Sequence, residues 1–347
     1  MKIVSIPNYG INILPMNKNV FKSERDKSKY FLDRNENLDL KLKNYIESLV
    51  HFSEKNYNLY PDKLEKAYNT FQSFLEVDKS EIVFTNGSEE GLRLIFNTVL
   101  SKNDVVVKWE PTFGLINLYI NHAQAKSIDV GFKLVHHTYK FNQYKSNFSP
   151  KVFYISSPNS PTGSVFDKNE LVKLLDKHKT SLFVLDGAYV DYDQDFYLDL
   201  YKSRNNIIIV RTFSKAWGIA GLRFGYFLTK NVKLQNSRPN YAPNNIAIDV
   251  ALKLLSDQSW IKTSIERCEE SKLELIIFFR LYDIDFIKTI GNFIIFESNK
   301  INIEFLYMFM YFKTIQINKK HYIKISIPDI DDVNIVINLI KNCLMMV

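Results

Sequence analysis

From about residue 45 the chain reads as short apolar runs separated by helix-like periods. Six runs predict buried strands: Glu81 to Asn86, Asp104 to Trp109, Lys151 to Ser157, Ser181 to Asp186, Asn206 to Ser214 and Phe224 to Thr229. After the first, Ser88 to Leu100 places Leu92, Ile95, Phe96 and Val99 on one helical face. Strands alternating with helices predict a largely parallel sheet covered on both sides. Pro239 and Pro243 interrupt the pattern within Arg238 to Asn245, which is expected as the hinge out of a large domain. A long helical region follows, then strands near Asn292 to Glu297 and Tyr322 to Ile327, and a last helix from about Asp331. The first 30 residues are polar and irregular and read as an arm. The expected partition is an arm with part of a small domain over 1–44, a large domain over 45–237 and a small domain over 238–347.

Composition narrows the function. At 46% hydrophobic and 24% charged, the 347 residues exclude a disordered chain. Two cysteines, Cys268 and Cys343, exclude a disulfide framework and a cysteine-rich zinc site. The six histidines form no H-x-x-x-H pair, so no metal is expected. The formal charge of +7 comes from lysines scattered along the chain, the pattern of a solvated surface rather than a nucleic-acid footprint. No apolar run approaches 18 residues, so no membrane span is expected. Pro7, Gly10 and Pro15 break Met1 to Met16, so no signal segment is expected there. A cytoplasmic protein is the expectation.

Glycine is scarce, at 11 residues, less than half the usual share of about 7%. Eight of the 11 fall in four segments: Thr85 to Gly91, Pro111 to Gly114, Ser157 to Gly163 with Asp186 to Tyr189, and Arg211 to Gly225. Each lies at or just past the end of a predicted strand, where open α/β sheets bind ligands. At Gly87 a strand turns into a helix whose first N–H groups suit a phosphate, though an ordinary strand-turn-helix has the same pattern. Ser-Lys occurs four times, but only Lys215 has a threonine three residues before it and Gly-Leu-Arg six to eight after it. Two hydroxyls and an arginine can clamp a phosphate, and a lysine between them can form a Schiff base with a carbonyl cofactor. Asp186 ends the apolar strand Leu182-Phe-Val-Leu, where a carboxylate is costly unless it is paired, caps a helix or faces a cleft.

These segments resemble the pyridoxal-phosphate-dependent aminotransferases of fold type I, class I/II, and among them the histidinol-phosphate aminotransferases. The resemblance runs from Asn35-Glu-Asn37 through Tyr60-Pro-Asp62 to Gly225, and more weakly to Asn292-Phe293. The spacing agrees too: 27 residues separate Asn159 from Asp186 and 29 separate Asp186 from Lys215. It implies an α/β fold whose large domain has a mainly parallel seven-stranded sheet, beside a smaller α+β domain. It implies pyridoxal 5'-phosphate as cofactor, with Lys215 as the catalytic lysine, Asp186 on the pyridine nitrogen, Tyr189 and Asn159 (or Ser160) on the ring oxygen, and Phe113 stacked on the ring. Ser88, Glu89, Thr212, Ser214 and Arg223 would hold the phosphate. Tyr60 would reach the phosphate of a neighbouring subunit, so a homodimer with shared sites is implied.

Three departures stand out. Ser160 replaces the asparagine before Pro-Thr-Gly, and Gly187 replaces a glutamate. The family's two C-terminal arginines align with Asn318 and Lys324, and lysine cannot reproduce the bidentate arginine–carboxylate fork. Asn37, Lys324 and Arg34 are therefore the expected substrate binders, with Lys319 and Lys320 as further anion candidates. The expected activity is transfer of an amino group from a donor such as glutamate to a small, phosphorylated ketone or aldehyde. Decarboxylation of an O-phospho-amino acid is the alternative, and a non-catalytic cofactor-binding regulator is a third.

Overall fold

The computed structural model describes residues 25–51, 58–193 and 197–344. The expected arm, up to residue 24, and the segment Met1 to Met16 lie outside the described residues.

Seven strands form the first sheet: β1 (Ile82–Thr85), β2 (Val105–Trp109), β3 (Lys126–Val130), β4 (Val152–Ser156), β5 (Leu182–Asp186), β6 (Ile207–Thr212) and β7 (Gly225–Leu228). Their order is β1-β7-β6-β5-β4-β2-β3. All run parallel except β7, which is antiparallel to both neighbours. The six expected strands are present within two residues at each end. β3 went unseen because it is an edge strand: Lys126, Ser127 and Asp129 are exposed, so it carries no apolar run.

Side-chain alternation covers both faces of this sheet. Val107, Phe153, Phe183, Leu185 and Ile209 point into one cluster. Val106, Val152, Tyr154, Val184 and Ile208 point into the other. Helices α1 (Leu40–His51), α2 (Leu64–Leu75), α3 (Gly87–Val99), α4 (Asn245–Ser256), α5 (Ser259–Leu281) and α6 (Val333–Asn342) cover the strands. α2 and α4 share the first cluster and α3 the second. The expected hinge at 238–245 thus leads into α4, whose Ala247, Ile248, Val250 and Leu254 are fully buried with the first sheet. The chain passes to the second lobe along α5, from Ile261 in the first core to Leu275 and Phe279 in another.

That second core underlies an antiparallel sheet of β8 (Phe286–Ile287), β9 (Phe293–Glu297), β10 (Lys313–Ile317) and β11 (Lys320–Ser326), in the order β8-β9-β11-β10. Ile294, Phe296, Ile323 and Ile325 face α5 and α6. Ile295, Ile317 and Tyr322 face the first lobe. Lys324 and Ser326 alternate with Ile323 and Ile325, so they face the first lobe too. Asn318 and Lys319 have φ of 50° and 68° and form a two-residue turn, which sets Lys313 directly across from Lys324.

The lobes touch closely beside the site. Ile290 N–H donates to the Gly163 carbonyl at 3.1 Å. Gly163 has φ +67°, and a Cβ there would lie 2.3 Å from Thr289 Cα. Gly163→Ala should therefore destabilise the fold by about 1–3 kcal/mol, through left-handed strain and a backbone clash. Urea unfolding of the variant checks this, and an unchanged midpoint would contradict it.

Candidate active site

The carboxyl edge of the first sheet gathers the glycine-rich segments. Gly225, opening the antiparallel β7, pairs with Thr85 on one side and Thr212 on the other. It leaves no room for a side chain: a Cβ would lie 2.7 Å from the carbonyl carbon of Gly87 and 2.8 Å from Ser88 N. The start of α3, the Thr212-Phe-Ser214 turn and Arg223 are thereby packed together. Asn86, at the N-cap of α3, accepts no hydrogen bond through its side chain, so the first turn of α3 is left without a side-chain cap. Thr212 Oγ1 donates to Ser214 Oγ at 3.0 Å and accepts from Ser214 N–H at 3.1 Å. Arg223, in a left-handed conformation, donates to Ser214 Oγ at 3.4 Å and to the Asn86 carbonyl at 3.2 Å. A Cβ on Gly87 would lie 2.5 Å from Arg223 Nη2. Backbone N–H groups, two hydroxyls and a guanidinium around a space kept clear by glycine are the donor set for a phosphate dianion. Ser88 is half-buried at this edge and Glu89 is exposed.

Asp186 ends β5 nearby, 4% exposed. Its Oδ2 accepts from the Tyr154 hydroxyl at 2.7 Å and its Oδ1 from Ala188 N–H at 3.1 Å. Burial pushes its carboxyl above the usual range, while Tyr154, Ala188 and Lys215 pull the other way. Lys215 Nζ donates to the carbonyls of Arg34 (3.0 Å) and Asn35 (3.1 Å), and lies 5.4 Å from the centre of the Tyr189 ring. Asn159 is fully buried. Its Nδ2 donates to Thr112 Oγ1 at 3.1 Å and its Oδ1 accepts from Thr162 Oγ1 at 2.9 Å. Phe113, next to Thr112, is half-buried.

Other expected residues are placed differently. Asn37 Nδ2 donates to the Ala216 carbonyl (2.9 Å) and Ser264 Oγ (3.0 Å), so it braces the turn after Lys215. Lys319 sits in the hairpin turn, and Lys320 is ion-paired with Glu297, so neither joins Lys324. Asn318 is likewise a turn residue; the cation opposite Lys324 is Lys313. Sequence reading missed Lys313, although a turn at Asn318-Lys319 fixes its register. It also missed Tyr154 and Asn35, whose roles depend on partners far along the chain. Among the described residues no cluster of His, Cys, Asp or Glu could hold a metal ion.

A lysine amine set between a phosphate cradle and a buried carboxylate, on the carboxyl edge of a mainly parallel sheet, defines a pyridoxal-phosphate enzyme of fold type I. The aminotransferase class I and II family model matches residues 27–300, and the chain belongs to that family: it is a pyridoxal-phosphate-dependent aminotransferase. It is 30% identical to a histidinol-phosphate aminotransferase from Clostridium novyi (strain NT), over 92% of this chain and 93% of that relative. The fold superposes on the histidinol-phosphate aminotransferase of Sinorhizobium meliloti, solved with pyridoxal-5'-phosphate, with a TM-score of 0.74 and 18% identity, covering 90% of this chain and 91% of that one. It superposes equally well, again at 0.74 and 18%, on the L-threonine-O-3-phosphate decarboxylase of Porphyromonas gingivalis, covering 90% and 98%.

The residues present fit the cofactor. The glycine-lined cradle suits its phosphate, and the buried Asp186 carboxylate awaits a cation such as a pyridinium N–H. The sign of the Asp186 shift gives a test. A carboxyl raised by folding lowers stability as pH climbs from its unfolded value through its folded one. At pH 7, cofactor-free Asp186→Asn should thus melt no lower than the native protein. Its affinity for pyridoxal phosphate should fall about tenfold or more, the loss of a charge-assisted hydrogen bond. Thermal melts without cofactor and absorbance titration with it measure both; a lower melting point without cofactor would contradict the desolvation account.

Proposed function

We propose that this aminotransferase moves an amino group between a donor such as glutamate and a small phosphorylated ketone or aldehyde. The observation that carries this reading is the cationic pair Lys313 and Lys324 on the sheet face toward Lys215. Lys324 is buried, and its Nζ lies 5.3 Å from the centre of the Phe293 ring. Among the described residues it has no hydrogen-bond or ion-pair partner. Burial holds its amine well below the usual lysine range, and the charges of Lys313 and Lys215 add to this, with Asp33 opposing. Lys313 is exposed over much of its length, but partial desolvation of its amine lowers it, with Asp33 opposing and Lys215 and Arg34 adding. So many cations beside a single carboxylate suit an anionic substrate group, and relatives named for a phosphorylated substrate support a phosphate there.

Bound pyridoxal phosphate supplies a protonated ring that takes up electron density released at the substrate's α-carbon. In this reading Lys215 Nζ holds the cofactor covalently, and then takes and returns the α-proton. Asp186 keeps the ring nitrogen charged, Tyr189 and Asn159 or Ser160 meet the ring oxygen, and Phe113 covers the ring. Ser88, Glu89, Thr212, Ser214 and Arg223 hold the phosphate, and Arg34, Lys313 and Lys324 the substrate anion. Tyr60 is 71% exposed and stacks on the exposed Tyr241, with ring centres 4.1 Å apart. This supports its service to the site of a second copy in a homodimer.

Glutamate added to the loaded protein should bleach its visible band as the amino group is transferred, and Lys215→Ala should show neither the band nor turnover. No change with any amino donor would sink the reading, and carbon dioxide release with the amino group retained would assign decarboxylation. A second expectation follows from Lys324. Because only the protonated amine pairs with an anion, affinity for histidinol phosphate should fall as pH rises through the lowered value. Lys324→Met should weaken binding about tenfold or more and flatten that dependence. Isothermal titration across pH checks both.

A further inference from the structure

Asn35 carries the N-terminal segment into the site. It is 1% exposed with φ +53°, a conformation that asparagine tolerates better than most residues. Its N–H donates to Ser326 Oγ at 2.9 Å, and its carbonyl accepts from Lys215 Nζ and from Asn292 Nδ2. Its side-chain Nδ2 donates to the Tyr189 hydroxyl oxygen at 2.8 Å, while its Oδ1 is buried without a partner among the described residues. An unpaired amide oxygen costs about 1–3 kcal/mol. Glycine would meet the backbone demand without that cost, so the amide has to be explained by what its nitrogen does.

We infer that Asn35 is a positioning residue that makes Tyr189 a one-way donor. With Nδ2–H on the phenolic oxygen, the Tyr189 proton is free to point to the cofactor's ring oxygen. The reversed amide would accept that proton and withdraw it. This rests on the proposed role of Tyr189. Among the described residues no other group hydrogen-bonds the phenol. The charged and titratable neighbours are Lys215 over its ring, Asp186 held by Ala188 N–H, and Tyr192. Phe293 packs edge-on against the Tyr189 ring at 5.3 Å. A phenol that accepts a hydrogen bond is a stronger donor. A stronger donor stabilises negative charge on the ring oxygen, which lowers the pH midpoint of the bound chromophore's visible band.

The test is a pH titration of that band in the loaded native protein, in Asn35→Gly, in Tyr189→Phe and in the double variant. Asn35→Gly keeps the left-handed backbone and should raise the midpoint by about 0.5–1 unit, the worth of one hydrogen bond. In the Tyr189→Phe background the same change should move it little. An unmoved midpoint, or an equal shift in both backgrounds, overturns the inference. Should Asn35→Gly fail to fold, Asn35→Asp is titrated in the same two backgrounds. Its shift should be larger with Tyr189 present, and equal shifts again overturn the inference. A native protein showing no visible band with pyridoxal phosphate would overturn the site reading and this inference with it, whereas a normal band with no coupling overturns only the inference.

Discussion

The approach of Gly225 to Gly87 is the constraint on which the site depends. The first sheet is parallel but for β7, and that strand lies between β1 and β6. Reversing one strand brings its N-terminal end to the edge where its neighbours finish. The turn before it delivers Arg223 against Ser214, and the backbone of Gly225 lies against the start of α3. A side chain at position 225 would push α3 away and open the cradle. The start of α3 and the Thr212 to Gly225 segment, more than a hundred residues apart in the chain, thus converge through the absence of one carbon atom.

Desolvation is the second theme, and it acts on a carboxyl and an amine that both feel the charge of Lys215. Asp186 is raised and Lys324 lowered, each chiefly because burial disfavours its charged form. Folding alone gains nothing from either. A group of opposite charge would offset that cost for either, which makes both candidate binding groups. Contrast Arg267, which is charged and largely buried but saturated by Asp39 and Asp329, and so only ties helix to loop.

The cofactor side was legible in the sequence because its demands are local. A turn needs Gly87, a strand end carries Asp186, and Thr212 to Arg223 is one continuous segment. The six buried strands of the first sheet were legible for the same reason, but its exposed edge strand β3 and, in the second sheet, the short β8 and the half-exposed β10 have no apolar run to read. The substrate side was less legible because its pairings are long-range. Asn35 meets Tyr189 across more than 150 residues, and nothing local to Asn37 says that its amide goes to Ala216 and Ser264. Lys313 was not legible because only the turn at Asn318-Lys319, by folding the hairpin, sets it across from Lys324.

Lysine in place of arginine changes what an anion site can distinguish. An arginine stays charged when buried and offers two parallel N–H groups to a flat carboxylate. Lys313 and Lys324 offer compact ammonium groups from adjacent strands, with no fixed fork, and burial disfavours the charged form of Lys324. On the proposed reading, an entering anion therefore stabilises the protonated form of Lys324 as it binds. A phosphate dianion does this more strongly than a carboxylate, because it carries more charge and its tetrahedral oxygens can meet two ammonium groups from different directions. The donor carboxylate of glutamate then has the weaker claim on this corner. Discrimination between the two half-reactions would come from charge and protonation rather than from the geometry of a guanidinium fork.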